Sequence, residues 1–342
     1  MKVFLIGGTG LLGSAAAEEL IKRGHEVSAI ALPPVPEGAS LPTQMKLEFK
    51  NYMTLSDDEI RKCFEGCEGF VFASGIDERI SGPAPIYEYF NKYNVTPLER
   101  FLRIAKERGV KHTVICGSYF SYFDKLKPHL DLSRWHPYIH SRREQEKMAL
   151  SFADENFNVA IMELPYIFGT QQGREPVWTI IVKALRGMKG VTMYPRGGTT
   201  MVTRRQVAQA MAGALEKTKG GQCWPIGWYN MSWKEFLAIV HRNMGMTGRK
   251  VITIPNWMLN LGIKAMEKTI RGTEGGVETE GGIYLPKFSD IQGAETFIDK
   301  SLGCEPLGVQ DDDIEAAIGE SIRLSADCLD GKVKNIIGMR GE

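Results

Sequence analysis

Cysteine is scarce, with six in 342 residues, at positions 63, 67, 116, 223, 304 and 328. Only Cys63 and Cys67 lie close together, and no histidine or second pair completes a zinc-type spacing, so no metal is expected. Reduced, mostly buried thiols are expected instead, as in a cytoplasmic protein. An excess of charge is missing too. Lys and Arg number 42 against 41 Asp and Glu, a formal net charge of +1 at pH 7. That balance argues against a broadly basic face for nucleic acid or for a membrane surface. No window approaches about 18 uninterrupted apolar residues, so no membrane-spanning helix is expected. The N-terminus has the outline of a signal peptide, with Lys2, then Val3–Ile6, then Ala15–Ala17. Glycines at 7, 8, 10 and 13 break its apolar part into pieces too short for secretion.

What is present is a globular composition, 43% hydrophobic and 24% charged. Disorder is excluded as the default, and the length allows a large core and about two domains. Glycine is enriched, at 37 residues without a collagen-like period, so its placement carries the information.

Up to residue 165, short apolar runs alternate with helical periods. The strand candidates are Lys2–Ile6, Glu26–Ala31, Met45–Phe49, Gly69–Ala73, His112–Cys116 and Asn158–Glu163. Helices are expected at Leu11–Lys22, Ser56–Phe64, Pro85–Arg108 and Tyr138–Glu155, with a kink or break where Pro97 removes the hydrogen bond to Tyr93. Continuous aliphatic strands alternating with helices predict an α/β fold, a doubly wound parallel sheet of the Rossmann type. After Gly169 the alternation decays. Helices are expected at Val177–Arg186, Arg204–Lys217, Ser232–Met244, Trp257–Ile270 and Asp311–Leu324, with short strands at Met201–Thr203 and Cys223–Ile226. Arg271–Gly282 holds five glycines and three glutamates in twelve residues and reads as a mobile loop. The expected division is a dinucleotide-binding domain over 1–165 and a smaller, mixed substrate lobe over 166–342. Segments near 200–228 are expected to return to the first domain.

Lys2–Ile6 runs into Gly7-Gly8-Thr9-Gly10-Leu11-Leu12-Gly13, and a helix follows. In that context Gly7, Gly10 and Gly13 allow a tight turn, close approach of a pyrophosphate and close helix–strand packing. The free N–H groups of the first helical turn then face phosphate. An NAD site usually places an acid at the end of the second strand, where this chain has Ala31 and no acid before Glu37. No arginine follows either. The cofactor reads as NAD or NADP, leaning to NADP because no acid repels a 2′-phosphate.

Further along, Phe72-Ala73-Ser74-Gly75, Asn94-Val95-Thr96, Cys116-Gly117-Ser118, Tyr138-Ile139-His140-Ser141-Arg142 and Pro165-Tyr166-Ile167-Phe168-Gly169 occur in order. Together with the glycine turn, this set resembles the extended short-chain dehydrogenase/reductase superfamily, also called the NAD-dependent epimerase/dehydratase family, over residues 1 to about 215. The resemblance implies cofactor contacts from Gly7, Thr9, Gly10, Leu11, Leu12, Gly13, Ala73, Ser74, Gly75, Asn94, Pro165 and Ile167. It implies that Tyr138 exchanges a proton with the substrate oxygen while hydride moves at the nicotinamide. Ser118 would hold that oxygen, with Ser121 as the alternative.

The family's lysine, four residues after the tyrosine, is Arg142 here. Both side chains share a helix face, and a cation there favours phenolate. Arginine does not readily give up a proton, so a relay through it would fail and the chemistry would be slowed or altered. The plainer alternatives are a Tyr138 that packs on the second lobe and an Arg142 that pairs with Glu146.

Tyr166 stands in or near a slot where nucleotide-sugar enzymes of the family carry asparagine, which counts against a sugar-nucleotide epimerase. Tyr119, Tyr166 and Trp178, with Phe168, either wall an apolar or aromatic substrate pocket or pack between the lobes. Gln171, Gln172 and Arg174 either reach polar or anionic substrate groups or are solvated loop residues. His129, His136 and His140 lack metal spacing and read as surface or second-layer residues, with His140 aimed away from Tyr138. The expected function is NAD(P)-dependent hydride transfer at a carbonyl or alcohol carbon of a small substrate. The alternatives are a non-catalytic NAD(P)-sensing regulator and a nucleotide-sugar epimerase or dehydratase. The resemblance also implies a homodimer through the Pro85–Arg108 and Tyr138–Glu155 helices.

Overall fold

The computed structural model describes residues 1–270, 273–274 and 277–338, with no side chains described from 264 to 277. Seven strands form the central sheet: β1 (Lys2–Ile6), β2 (Glu26–Ala31), β3 (Lys46–Phe49), β4 (Gly69–Phe72), β5 (His112–Cys116), β6 (Asn158–Glu163) and β7 (Gly221–Pro225). Their order is β7-β6-β5-β4-β1-β2-β3, and every pairing is parallel. The chain reverses direction across the sheet between β1 and β4, which opens a crevice at the carboxyl ends of those strands.

Residue alternation sends opposite sets of side chains to the two faces of the sheet. Val3, Leu5, Val71 and Val114 pack under helices Leu11–Lys22 and Arg204–Lys217. Phe4, Ile6, Phe70 and Phe72 pack under Thr96–Glu107 on the opposite face. Because both faces are covered, β4 and β6 are buried along their whole length.

The expected long helix from Pro85 to Arg108 is divided. An α-helical turn at Tyr87–Phe90 leads into a π-helical turn at Asn91–Val95, and Thr96–Glu107 continues as α-helix. Pro97 has no N–H to donate to Tyr93, and the wider turn accommodates it. Tyr119–Leu126 also departs from the sequence reading. It is a helix, with Ser118 at its N-cap accepting from the Phe120 N–H at 3.3 Å. The helix expected over Tyr138–Glu155 begins at Pro137 and ends at Leu150.

Past β6, Gly198–Thr203 is flanked by Tyr166–Phe168, Tyr229–Ser232 and Glu295–Thr296. Phe168, Met201, Trp233, Phe236, Val240 and Ile318 form a separate core there with helices Thr179–Gly187, Trp233–Asn243 and Ile314–Leu329. The stretch expected to be a mobile loop, Arg271–Gly282, contains a paired strand instead. Val277–Gly281 pairs with Thr273–Glu274 and, on its other edge, with Ser81–Pro83. Residues 271, 272, 275 and 276 lie outside the described set. Among the described residues no helix is long and apolar enough to cross a membrane.

Candidate active site

The first βα turn is built to exclude side chains. Gly7 adopts φ +94°, and a Cβ there would lie 2.4 Å from the Ala73 carbonyl oxygen; one at Gly13 would lie 2.1 Å from the Gly7 carbonyl oxygen. The turn closes through the Gly10 N–H donating to the Gly7 carbonyl at 2.9 Å. Gly10 is the N-cap of a twelve-residue helix and offers no capping side chain, so the first-turn N–H groups are left for a ligand. A cradle that any Cβ would fill, at a helix N-terminus, fits the pyrophosphate of a dinucleotide.

Gly10, Leu11 and Leu12 line one end of a cavity of about 800 Å³. Ala73, Ser74, Gly75, Pro165 and Ile167 line it further along, and Ser118, Tyr138 and Arg142 lie on the same wall. Gly7, Thr9 and Gly13 shape the turn from beneath without lining the cavity. Asn94 is also off the wall. It is fully buried on the π-helical turn, where its carboxamide accepts from the Ile76 N–H at 2.8 Å and donates to the Ile76 carbonyl at 3.0 Å. Asn94 thus fixes the loop that carries Gly75.

Tyr138 sits in the first turn of the Pro137–Leu150 helix and is buried. Its N–H donates to the Gly282 carbonyl at 3.0 Å, and its ring meets Phe90 edge-on at 5.6 Å. The Ser118 hydroxyl acts on the Tyr138 phenol and lowers its pKa. Burial raises the phenol pKa; Arg142 and Ser118 pull it down, while Glu78 and Asp77 oppose them. Burial outweighs the cation, so Tyr138 is a protonated acid near neutral pH. Ser121 lies buried behind this wall with an unpartnered hydroxyl.

Arg142 places its guanidinium carbon 5.2 Å from the centre of the Tyr138 ring. It donates to Gln145 at 2.8 Å, to the Ile76 carbonyl at 3.1 Å and to the Cys116 carbonyl at 3.4 Å. The alternative pairing with Glu146 does not form. Glu146 is taken by Lys125 at 2.7 Å and Arg143 at 2.8 Å. Lys125 also reaches Glu163 at 2.8 Å. An ammonium group therefore serves the one grouping with metal-ligand chemistry among the described residues, Glu146, Glu163 and Cys223.

At the far end the walls are aromatic. Tyr119 turns its hydroxyl to Thr199 at 3.1 Å, and its ring lies 6.2 Å from that of Tyr166. Trp178 stacks on Phe168 at 4.1 Å and donates to the Ile167 carbonyl at 3.1 Å. Sequence reasoning missed Tyr194, Trp233 and Gln292, whose amide donates to the Tyr194 hydroxyl at 2.7 Å. It also missed Glu78, which lines the cavity and whose carboxyl pKa is raised by burial and by Asp77.

His136 is the N-cap residue of the tyrosine helix and is fully buried, its Nδ1 accepting from the Tyr284 N–H at 3.1 Å. Burial pushes its pKa down to about 4. His140 is exposed and packs edge-on against Tyr87 at 4.7 Å. Gln171 is buried and accepts from Ser14 at 3.1 Å. Arg174 points to the glycine turn, donating to the Thr9 carbonyl at 3.0 Å and to its hydroxyl at 3.2 Å.

Vestitone reductase of Medicago sativa is 30% identical over 193 residues, 49% of this chain and 58% of that protein. UDP-glucose 4-epimerase of Klebsiella pneumoniae is 27% identical over 137 residues, 37% of this chain and 96% of that protein. The crystal structure of gox2253 shares the fold, with a TM-score of 0.71 at 20% identity, covering 97% of this chain and 99% of that one. The family model for the NAD dependent epimerase/dehydratase family matches residues 3–227, which hold the glycine turn, Ser118, Tyr138 and Arg142. The chain belongs to the NAD-dependent epimerase/dehydratase family.

Proposed function

We propose that this chain is an NAD(P)-dependent oxidoreductase acting on the carbonyl or alcohol carbon of a small apolar or aromatic substrate. The observation that carries the reading is that Ser118, Tyr138 and Arg142, the last against the tyrosine ring, line one cavity with the glycine turn. A bound nicotinamide supplies or accepts the hydride. Ser118 orients the substrate oxygen, and Tyr138 gives it a proton in the reducing direction or takes one in the other. Arg142 acts on Tyr138 by its field, without relaying a proton.

A reductase is favoured over a nucleotide-sugar epimerase because Tyr166, Trp178 and Trp233 make the far wall apolar. The same cavity favours an enzyme over a sensor, since a sensor needs no substrate chamber beyond the dinucleotide. Six cysteines present as thiols support a reducing compartment, the cytoplasm. Pairing of two copies through the Pro85–Arg108 and Tyr138–Glu155 segments, which the family resemblance implies, completes the reading. NADP(H) is preferred to NAD(H).

Calorimetric titration with NAD, NADH, NADP and NADPH tests the reading, followed by a screen of aryl and alkyl carbonyl compounds. Micromolar binding of a reduced form with turnover of a carbonyl is the expected result. Absence of binding by all four nucleotides would overturn it. Arg142→Lys is expected to increase turnover with little change in KM, whereas a pure sensor would gain no turnover from that change.

A further inference from the structure

We infer that Arg174 selects the phosphorylated dinucleotide by binding the adenosine 2′-phosphate of NADP(H) from the second half of the chain. The inference rests on the reading of the cavity as a dinucleotide site and goes beyond it by assigning the phosphate-reading residue.

The usual place for that residue is just past β2, where the acid or arginine that reads the ribose stands in this fold. Here Ala31 is followed by Leu32, Pro33 and Pro34, and neither type occurs before Glu37. The segment after β2 instead packs against the loop that carries Arg174. A Cβ on Gly173 would lie 2.5 Å from both the N and the O of Glu37, and one on Gly38 would lie 2.8 Å from the Gln172 amide. Arg174 therefore stands beside the chain segment that would otherwise read the ribose.

Its backbone is held from both sides. Gln171 accepts from Ser14, the Gly173 carbonyl accepts from Ile337 at 2.9 Å, and Glu175 donates to the Ile337 carbonyl at 3.0 Å. From that anchored loop the guanidinium reaches Thr9, at the crest of the glycine turn. The neighbouring Gly8 faces Ala29 of β2, where an added Cβ would lie 2.7 Å from the Ala29 side chain. Arg174 is thus on the β2 side of the turn, the adenosine half of a dinucleotide site. The pyrophosphate has its own donors at Leu11 and Leu12, on the helix N-terminus.

The charge of Arg174 is unbalanced. The residue is half-buried, desolvation lowers its pKa with no anion acting against it, and no described carboxylate lies within ion-pair distance. Arg204 offers a contrast at the same turn: it bonds the Leu11 and Thr170 carbonyls and has Glu18 at 3.9 Å. The Thr9 bonds use two of the five N–H donors of Arg174, both on neutral acceptors. A planar fork with spare donors and no counter-charge suits a phosphomonoester dianion.

The test is calorimetry on the full chain, wild type, Arg174→Gln and Arg174→Lys, titrated with NADPH, NADH and 2′,5′-ADP. Arg174→Gln is expected to weaken NADPH and 2′,5′-ADP at least about tenfold, the scale of lost charge-assisted hydrogen bonds. NADH affinity should stay within about threefold in the same experiment. Arg174→Lys keeps a charge and is expected to retain part of the NADPH preference. Equal losses for NADH and NADPH would overturn the inference and make Arg174 a pyrophosphate or turn-holding residue. Unchanged NADPH affinity would overturn it as well. A wild type that binds none of the three probes would sink the dinucleotide reading itself, an outcome distinct from these two.

Discussion

At the glycine end of the cavity the geometry is carried by backbone, and at the aromatic end by side chains from distant parts of the chain. Gly7 and Gly13 leave no room for a Cβ, and the ligand-facing groups there are main-chain N–H donors. Around Tyr138 the walls come from Ser118, Tyr166, Trp178, Tyr194 and Trp233, tied by hydrogen bonds such as Tyr119–Thr199 and Gln292–Tyr194. A backbone site admits one ligand chemistry and tolerates almost no substitution. A side-chain wall can be re-cut residue by residue, which is how one fold serves many substrates.

The comparison is sharpened most by Tyr138→Phe. Removing the proposed proton donor is expected to lower kcat/KM by about 10²- to 10⁴-fold, with dinucleotide affinity by calorimetry nearly unchanged. A parallel loss of affinity would mean that the two ends are not separable. Gly13→Ala attacks the other end. Its methyl group meets the Gly7 carbonyl oxygen, so dinucleotide binding is expected to fall about a hundredfold, with about 1–3 kcal/mol of stability lost in urea unfolding.

The aromatic end also carries a titratable support that the glycine end lacks. His136 is held neutral, its pKa pushed by burial from the ordinary 6.5 down to about 4. Unfolded chains take up the proton first as pH falls. The contribution of His136 is therefore complete above pH 6.5 and is lost progressively toward pH 4. Between pH 7 and pH 5 that amounts to about 2 kcal/mol. Urea unfolding of wild type and His136→Asn should differ in pH slope by this amount, and identical slopes would remove His136 from the account. The smallest effect is expected at the wall. Trp178→Ala should raise KM for an aryl ketone about tenfold, the scale of a lost aromatic contact, with kcat and dinucleotide affinity retained.

The same contrast explains what could be read in the sequence. The glycine turn, β1, β2, β5 and Arg204–Lys217 were legible because continuous apolar runs and turn residues are local signals. Tyr119–Leu126 was missed as a helix because its aromatic run has no clear period and its N-cap, Ser118, was read for chemistry alone. Val277–Gly281 looked like a loop because its glycines and glutamates disfavour strand. Its partner, Ser81–Pro83, lies almost 200 residues away. The placement of Arg174 depends on a contact with Thr9 across 165 residues, for which no local pattern exists. The alternative Arg142–Glu146 pair does not form for the same reason, since Lys125 comes from a different helix.

The central claim is that one cavity joins the dinucleotide turn to the Ser118–Tyr138–Arg142 group for hydride transfer. Its most direct test uses reduced nicotinamide dinucleotide deuterated at the transferable position, incubated with the protein and an aryl ketone, with the alcohol product examined by mass spectrometry. The account requires deuterium on the carbinol carbon, at a rate that collapses in Tyr138→Phe. Alcohol without the label, or a label transferred equally fast by Tyr138→Phe, would contradict it.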